Sequence, residues 1–454
     1  MRKTIIVWSA LAAAALPGTA LADPLTSQEI GQVAGSQQSA SSSATSTQKS
    51  PTNTAISVAI LSPGAKSGNV TQSNNSSAES AAGNKNETEQ NAAQNAGGGG
   101  SAGQFIGQAA GNKQDAESSA DSTQYHPTNQ AISVAILSPG AKSGDVKQSN
   151  NSSAESQAGN KNETTQNASQ NAAGGGGTGS KCCDKGGTTV QGIGQEAYNK
   201  QEAESKATSV QYNPTNQAIG VSILSDGSSS GNVDQSNSSE AESSAGNKNE
   251  TEQNASQDAH GSGGSDCYDK CNSEQHGEDP CYDSCDHGGT TVQGIGQLNK
   301  SKQEADSEAT STQDGASNVA GSLDGLDGLG GHGGGCCDSR VAPAPSGGNV
   351  SQSNDSSAES EAGNVNGTEQ NASQNAGGGG TTVQALGQAA FNDQEANSEA
   401  ESTQWCPTNE VFGLFGDVRQ KNTSEAESAA GNRNGTEQNA SQAAGWWKRE
   451  RTLL

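Results

Sequence analysis

Small polar side chains recur at every second residue over long stretches of this chain. In the clearest stretch, from Val70 to Gln94, one parity carries mainly Asn, Gln, Ser, Thr and Ala, and the other carries varied, often acidic residues. Successive side chains of an extended strand point to opposite faces, so a period of two predicts β-strands. One face of each strand should therefore present a row of amides, hydroxyls and methyl groups.

This alternating stretch occurs five times along the chain. The other copies lie at 146–170, 233–257, 350–374 and 418–442, and a second alternating motif, such as 193–211, precedes each copy. The other examples of that preceding motif begin at residues 30, 106, 295 and 386. Self-similarity of this kind is typical of repeat architectures. The sequence predicts an all-β protein built from tandem repeats, with irregular Gly- and Cys-rich loops between them.

The repeats and the composition between them divide the chain into segments. We expect a leader at 1–22, repeat 1 at 23–100, repeat 2 at 101–181, repeat 3 at 182–264, a Cys-rich insert at 265–287, repeat 4 with a Gly/Cys insert at 288–380, repeat 5 at 381–444 and a Trp/basic tail at 445–454. The tetraglycine runs at 97–100, 174–177 and 377–380 predict flexible joints.

Short apolar segments follow the preceding motif in three repeats. They lie at 55–61, 131–137 and 218–224, each after a Pro-Thr-Asn sequence, and their β-branched residues predict short strands. Ser-Pro-Gly at 62–64 predicts the turn that closes the first of them. Repeat 4 has a Gly-, Leu- and Asp-containing stretch at 315–335 in place of the segment, which makes it the least regular repeat.

Each longer motif is interpreted as strand, turn, strand. A single strand of its length would span about 80 Å at about 3.3 Å per residue, and Ala82-Gly83-Asn84 tolerates the positive φ of a tight turn. If the repeats stack in register, residues of one parity should form hydrogen-bonded ladders. The predicted ladder residues are Gln72, Asn74, Ser76, Ala78, Asn84, Asn86, Gln90, Gln94, Gln148, Asn160, Gln170, Gln235, Asn247, Gln257, Gln352, Asn364, Gln374, Gln420, Asn432 and Gln442.

Composition leaves a competing interpretation open. Hydrophobic residues make up 28% of the chain and aromatic residues 3%, whereas a conventional core needs about 45 to 50% apolar residues. Low hydrophobicity with a net charge of −26 is also typical of a disordered, solvated stalk. The strict phase of the alternation favours ladders, because solvation alone does not select amides over charges on one parity.

The opposite parity carries most of the acidic residues. Examples are Glu79, Glu87, Glu89, Glu202, Glu204, Glu240, Glu242 and Glu395. Like charges stacked about 4.8 Å apart repel, so these residues should restrain association between chains. Our hypothesis is that acidification or a divalent cation speeds assembly. A merely solvated face that keeps the chain soluble is the alternative.

The alternating part of the chain resembles the curlin repeat of secreted bacterial amyloid fibres. The matching residues are Ser76, Ala78, Gly83, Asn84, Asn86, Gln90, Ala92 and Gln94, with their equivalents in the other repeats. The spacing departs from the curlin pattern, since Ala82 stands where a glutamine precedes the glycine, and this repeat is several times longer. The resemblance implies a repetitive β-solenoid or stacked β-arch architecture, in which identical Asn, Gln, Ser and Ala residues lie above one another in hydrogen-bonded ladders.

The N-terminal residues indicate secretion. Arg2 and Lys3 precede an apolar run at 5–16, and Ala20-Leu21-Ala22 fits a cleavage site that leaves Asp23 first. No later stretch has the roughly 20 apolar residues of a membrane span. The strong negative charge argues against nucleic acid as a partner. We expect an extracellular or cell-surface protein.

Nine cysteines lie outside the ladders. They are Cys182, Cys183, Cys267, Cys271, Cys281, Cys285, Cys336, Cys337 and Cys406. In an oxidising compartment they are disulfide candidates, and an odd number leaves one for an intermolecular bridge or a free thiol. The two C-x3-C pairs, Cys267 with Cys271 and Cys281 with Cys285, also permit a metal site, although zinc sites more often use C-x2-C.

No motif in the chain indicates catalysis or a cofactor, so we expect no enzyme. Trp446 and Trp447, beside basic residues, could dock at a membrane interface or a partner, or could cap the last rung. The expected function is a structural subunit that assembles with itself into an extracellular fibre or matrix, with other matrix or surface proteins as further candidate partners. The alternative is a monomeric or oligomeric adhesin or stalk, and ice or mineral binding is a third interpretation.

Overall fold

The computed structural model describes residues 26–98, 102–174, 187–223, 229, 231–260, 289–324, 348–377, 380–413 and 416–445. Among these residues there are strands and no helix. The strands are β1 Thr26–Lys49, β2 Thr52–Ile60, β3 Val70–Gly98, β4 Ala102–Tyr125, β5 Thr128–Ile136, β6 Val146–Gly174, β7 Thr188–Tyr212, β8 Thr215–Ile223, β9 Val233–His260, β10 Gly289–Asp314, β11 Ser317–Asp324, β12 Val350–Gly377, β13 Gly380–Trp405, β14 Thr408–Phe412 and β15 Val418–Gly445.

Three consecutive strands form one unit, and five units stack in chain order. The first sheet has the order β1-β4-β7-β10-β13, the second sheet β14-β11-β8-β5-β2, and the third sheet β15-β12-β9-β6-β3. All strand pairs are parallel and join equivalent positions, as in the column Gln32, Gln108, Gln195, Gln297 and Gln388. The predicted fold class, an all-β repetitive solenoid of stacked arches, is confirmed.

The first and third sheets face each other, and their strands run in opposite directions across the interface. Gln32 Nε2 donates to the Asn91 carbonyl at 2.8 Å, and Gln38 Nε2 donates to the Lys85 carbonyl at 2.9 Å. The start of β1 therefore faces the end of β3. The second sheet follows a corner after β1, and there Asn53 Nδ2 donates to Asn74 Oδ1 at 2.9 Å. Each unit is thus a long arch whose bend contains the short second strand.

Residues with positive φ form the corner before each short strand. They are Ser50, His126, Asn213, Gly315 and Cys406. The Ser-Pro-Gly turn forms as predicted: Gly64 has φ 69°, and the Ala65 amide donates to the Ser62 carbonyl at 3.1 Å. Proline at the second position and a positive φ at the third are the features of a type II turn.

The predicted turn at Ala82-Gly83-Asn84 is wrong. β3 runs without a break from Val70 to Gly98, and its equivalents in the other units are also continuous. Gly83 lacks a positive φ and lies on the outer face of an extended strand. Asn84 is held inward, where its Nδ2 donates to the Asp115 carbonyl of the facing sheet at 2.6 Å. Because the facing strand covers the whole length of β3, pairing across the interface favours one uninterrupted strand.

The short apolar segments form strands as predicted, in β2, β5 and β8. Repeat 4 is more regular than the sequence indicated, because β11 pairs with β8 and with β14. The rest of its predicted irregular stretch, 325–335, lies outside the described residues. Of the tetraglycine runs predicted as joints, Gly97 and Gly98 belong to β3, Gly174 to β6, Gly377 to β12 and Gly380 to β13, and the others are not described.

The interior between the long sheets consists of short and amide side chains. One buried cluster contains Ala78, Ala154, Ala241 and Ala358 of the third sheet with Ala120, Ala207 and Ala309 of the first. A second cluster adds Ile106, Ile193 and Ile295, and the largest fully buried side chains are glutamines. Methyl and hydroxymethyl groups let the two sheets approach closely, so glutamine side chains can reach the facing backbone.

Candidate functional site: the amide ladders and the two open ends

A single glutamine in the middle unit illustrates how the ladders work. Gln195 is 2% exposed, and its Nε2 donates to Gln108 Oε1 at 2.8 Å and to the Gln166 and Asn254 carbonyls at 2.9 and 3.1 Å. Its Oε1 accepts from Gln297 Nε2 at 2.8 Å. The amide is therefore satisfied by the units before and after it and by the facing sheet. Buried amides need such partners, because an orphaned one carries a desolvation cost of about 1–3 kcal/mol.

All interior glutamine ladders run in one direction. Each Nε2 donates to the glutamine of the preceding unit, as Gln235 does to Gln148 at 2.8 Å and Gln352 does to Gln235 at 2.9 Å. Donation to a backbone carbonyl across the interface fixes the amide orientation, as in Gln148 Nε2 to the Gln217 carbonyl at 3.2 Å. The columns begin at Gln28, Gln32, Gln38, Gln48, Gln72, Gln90 and Gln94.

The interior asparagine ladders run in the opposite direction. Asn74 Nδ2 donates to Asn150 Oδ1 at 3.0 Å, Asn150 donates to Asn237 at 2.9 Å, and the series continues through Asn354 to Asn422. Parallel series begin at Asn53, Asn84 and Asn86. Because the two kinds of ladder run oppositely, each end of the stack presents both amide donors and amide acceptors.

Within the described residues, the two ends of the stack are open. Inward side chains of units 2 to 4 are buried, whereas those of β1 and β13 are half-buried and those of β15 are largely exposed. Among the described residues, the Oε1 atoms of Gln384, Gln388 and Gln442 accept no hydrogen bond, and Asn422 Nδ2 and Asn434 Nδ2 donate none. The outer edges of the first and last strands also carry unpaired backbone groups.

The inward side chains of the last unit match those of the first. Between β15 and β3 they are identical at every register position from Val418 and Val70 to Ala444 and Ala96. Between β13 and β1, from Gln384 and Gln28 onward, they differ only where Leu386 corresponds to Ile30 and Asn392 to Ser36. An end of one copy thus carries the same interior pattern that joins neighbouring units within the chain.

Glutamates form a complete column on the outer face of the third sheet. The column consists of Glu79, Glu155, Glu242, Glu359 and Glu427. Partial desolvation raises the pKa of Glu242, and the neighbouring charges of Glu155, Glu359, Glu240 and Glu361 raise it further. These like charges disfavour the ionised form of Glu242 because they repel its carboxylate.

Lysines balance acidic residues on the outer face of the first sheet. Lys113, Lys200 and Lys302 lie two residues before Asp115, Glu202 and Glu304, at N–O distances of 2.6, 3.1 and 3.6 Å. A hydrogen bond to Glu202 raises the pKa of Lys200, against a smaller lowering by desolvation. These partly exposed pairs contribute little to stability, about 0–1 kcal/mol each.

The structure places all the predicted ladder residues on the inward face of the third sheet, in five-membered columns. The acidic residues predicted on the other parity, such as Glu79 and Glu242, point outward. Sequence reasoning did not include the glutamines of the first sheet, such as Gln195, or the Asn53 column of the second sheet in the ladder. The same two-residue alternation in 193–211 was the signal for the former.

Of the nine cysteines, Cys406 alone lies within the described residues. It is exposed, has a free thiol and forms the corner after β13. The predicted disulfide and metal candidates Cys182, Cys183, Cys267, Cys271, Cys281, Cys285, Cys336 and Cys337 lie outside the described part of the chain, as do the leader and the tryptophan tail. The described residues contain neither a group of three or more potential metal ligands nor a helix long and apolar enough to cross a membrane.

Comparisons of the chain with protein-family models, with curated proteins and with solved structures gave no match.

Proposed function

We propose that this chain is a secreted structural protein whose copies assemble end to end into an extracellular fibre or matrix. The observation that carries this proposal is the match between the inward residues of the first and last units. A second copy placed on either open end continues all three sheets in the register that the five units already use. Assembly then buries amides and backbone groups that the isolated stack leaves at its ends.

The geometry of the ends favours continued growth. The last unit of one copy meets the first unit of the next, so the contact joins two different surfaces and leaves an identical pair of open ends. Such heterologous contacts produce filaments when no rotation closes them into a ring. Parallel in-register strands with stacked amides are also the arrangement that stabilises cross-β fibres.

Secretion rests on the N-terminal residues, where Arg2, Lys3 and an apolar run precede a small-residue cleavage pattern. The resemblance to curlin repeats agrees with a fibre subunit. The alternative function, an adhesin or stalk, uses the same stack without polymerisation. Protein concentration distinguishes the two, because a fibre subunit polymerises above a threshold whereas a stalk keeps one size.

The test uses the chain from Asp23 onward, examined by sedimentation and negative-stain microscopy over a concentration series. We expect filaments above a threshold, with a fibre reflection at about 4.7–4.8 Å along the filament axis. Ala400→Lys places a charge on the inward face of the last unit and should block growth. The matched control Glu399→Lys points outward on the same strand. A single particle size at all concentrations would refute the proposed function.

A further inference from the structure

The outer face of the first strand differs from that of its equivalents. From Gly31 to Thr47, the outward residues of β1 carry no charge. The corresponding positions of β13 include Asp393, Glu395, Glu399 and Glu401. When the register continues from β13 onto β1 of a second copy, these carboxylates meet neutral side chains.

Within the chain the first sheet does stack like charges. One outer column contains Asp115, Glu202, Glu304 and Glu395 in adjacent units. Covalent connection holds these units together, and Lys113, Lys200 and Lys302 pair with three of these carboxylates, so repulsion is tolerated there. Two separate copies have no such connection, so like charges at their junction would oppose association. The neutral β1 therefore fits the position that receives the acidic last unit of another copy.

Two large aromatic side chains lie exposed on the same face of β13. Phe391 is 60% exposed and Trp405 is 62% exposed. Along the in-register columns, position 391 corresponds to Gly35, and position 405 corresponds to Lys49. Both rings belong to the last described unit, and within the described residues no further unit covers them.

At two places in the described structure, an aromatic side chain packs against a glycine in the adjacent unit. Phe105 lies over Gly192, where an added Cβ would come within 2.9 Å of the ring. Phe412 covers Gly321 of the neighbouring unit in the same way. Glycine at these positions leaves the space that a ring from an adjacent unit occupies. Gly35 offers the same space at the open end.

Aromatic and cationic side chains also stack along the unit axis. The Lys300 ammonium lies 5.9 Å from the ring centre of Tyr198 in the preceding unit. In the column that contains Trp405, Tyr125 and Tyr212 stack with ring centres 5.1 Å apart and planes inclined by 10°. The chain thus already brings a lysine over an aromatic ring between adjacent units, as Lys49 and Trp405 would meet at a junction.

We propose that Phe391 and Trp405 of one copy dock on Gly35 and Lys49 of a second copy, and that this contact selects the partner and the register of the junction. The partner is thus a copy of the same chain, presented by its first unit. This inference rests on the proposed end-to-end assembly and names the side chains that recognise the junction. Because the outer face of β1 is uncharged from Gly31 to Thr47, the acidic β13 of another copy can lie beside it without like-charge repulsion there.

Valine substitutions at two glycines provide a matched test. Gly35→Val should raise the critical concentration for assembly at least threefold, because the branched side chain fills the space for Phe391. Gly31→Val is the control, since its column holds glycine in every unit and no aromatic ring. Neither added Cβ has a heavy atom closer than 3.9 Å within the chain, so both variants should give the wild-type circular dichroism.

Lys49→Ala and Trp405→Ala test the second contact as a double-mutant cycle. We expect each single change to raise the critical concentration about two- to fivefold, the usual range for an exposed cation–π pair. The double variant should be no worse than either single variant, and Lys49→Arg should retain assembly. Additive effects would mean that the two side chains do not interact.

Fluorescence provides an independent measurement. In a Trp446→Phe, Trp447→Phe background the chain from Asp23 has Trp405 as its single tryptophan. Its emission should shift to shorter wavelength and resist acrylamide quenching once filaments form. If wild-type filaments form while Trp405 stays freely quenched and Gly35→Val assembles like Gly31→Val, the docking contact is refuted and end-to-end assembly stands. If no filaments form, the proposed function itself is refuted.

Discussion

Replacing Gln195 by alanine should test whether the amide ladders stabilise the stack. The change removes the donor to Gln108 Oε1, for which Gln195 supplies the one hydrogen bond seen in the described structure. It also removes the acceptor of Gln297 Nε2, which keeps bonds to the Gln253 and Asn371 carbonyls. The main effect is therefore one orphaned buried carbonyl together with a lost ladder bond.

The magnitude follows from these contacts. An orphaned buried acceptor costs about 1–3 kcal/mol, and a lost hydrogen bond contributes about 1 kcal/mol. The deleted methylene adds about 0.8 kcal/mol. We expect Gln195→Ala to lower the free energy of unfolding by about 3–5 kcal/mol. Gln195→Leu fills the volume but leaves the same orphaned carbonyl and loses the same hydrogen bond, so its cost should be about 2–4 kcal/mol.

Gln32→Ala is the matched control, because Gln32 belongs to the same column at the open end. No described unit lies beyond it, and Gln108 Nε2 retains its bond to the Asn167 carbonyl at 3.1 Å when Gln32 Oε1 is removed. The cost in the isolated chain should be below about 1 kcal/mol. Outward Glu196→Ala should change stability by no more than about 0.5 kcal/mol.

Guanidinium denaturation followed by circular dichroism, at concentrations below the assembly threshold, measures these differences. Amide hydrogen exchange should locate the loss of protection in Gln195→Ala to β4, β7 and β10. Equal costs for Gln195→Ala and Gln32→Ala would show that position within the ladder is irrelevant, and the reasoning would fail. A cost below 1 kcal/mol at Gln195 would have the same consequence.

Three further predictions concern charge and backbone conformation. The pKa of Glu242 is raised in the folded chain, so its ionisation destabilises the stack as pH rises through that pKa. Glu242→Gln should therefore be more stable than the wild type at pH 7 and equally stable below the ordinary pKa near 4.5. Denaturation at pH 3.5 and 7 measures this difference. Gly159→Ala should leave thermal stability unchanged or slightly raised, because the added Cβ makes ordinary contacts in an extended strand. Gly140→Ala, at φ 72°, should cost about 1–2 kcal/mol. A large loss of stability in Gly159→Ala would instead support the turn that the sequence predicted. Because the pKa of Lys200 is raised, its ion pair with Glu202 stabilises the fold below pH 10.5 and loses this effect at higher pH. Lys200→Ala should therefore reduce the free energy of unfolding by less than about 1 kcal/mol at pH 7. Above the raised pKa the substitution should have no measurable effect.

The acid dependence of a single chain should extend to assembly. A junction that continues the register places Glu427 of one copy beside Glu79 of the next. Protonation removes this repulsion, so filaments should elongate faster as pH falls toward 4. A thioflavin time course at pH 4, 6 and 8 measures the effect. Equal rates at the three values would contradict it.

The sequence by itself determined the strand periodicity, the number of repeats and which parity faces inward. These properties are local: a two-residue period places Gln72, Asn74 and Ser76 on one side of any extended strand, whatever the strand packs against. The Ser-Pro-Gly turn was equally predictable, since proline and glycine restrict φ at their own positions. Because the motif is repeated, in-register stacking gives each inward amide a hydrogen-bond partner in the adjacent repeat.

The tertiary structure alone decided the length of the strands and the composition of the ends. Gly83 tolerates a turn in isolation, but the facing first sheet engages β3 along its whole length, through contacts such as that of Asn84 with Asp115, and keeps it extended. Likewise, the contacts open to Phe391 and Trp405 depend on which residues lie above and below them in the columns. Register between distant segments is a property of the assembled sheets, so no single stretch of sequence contains it.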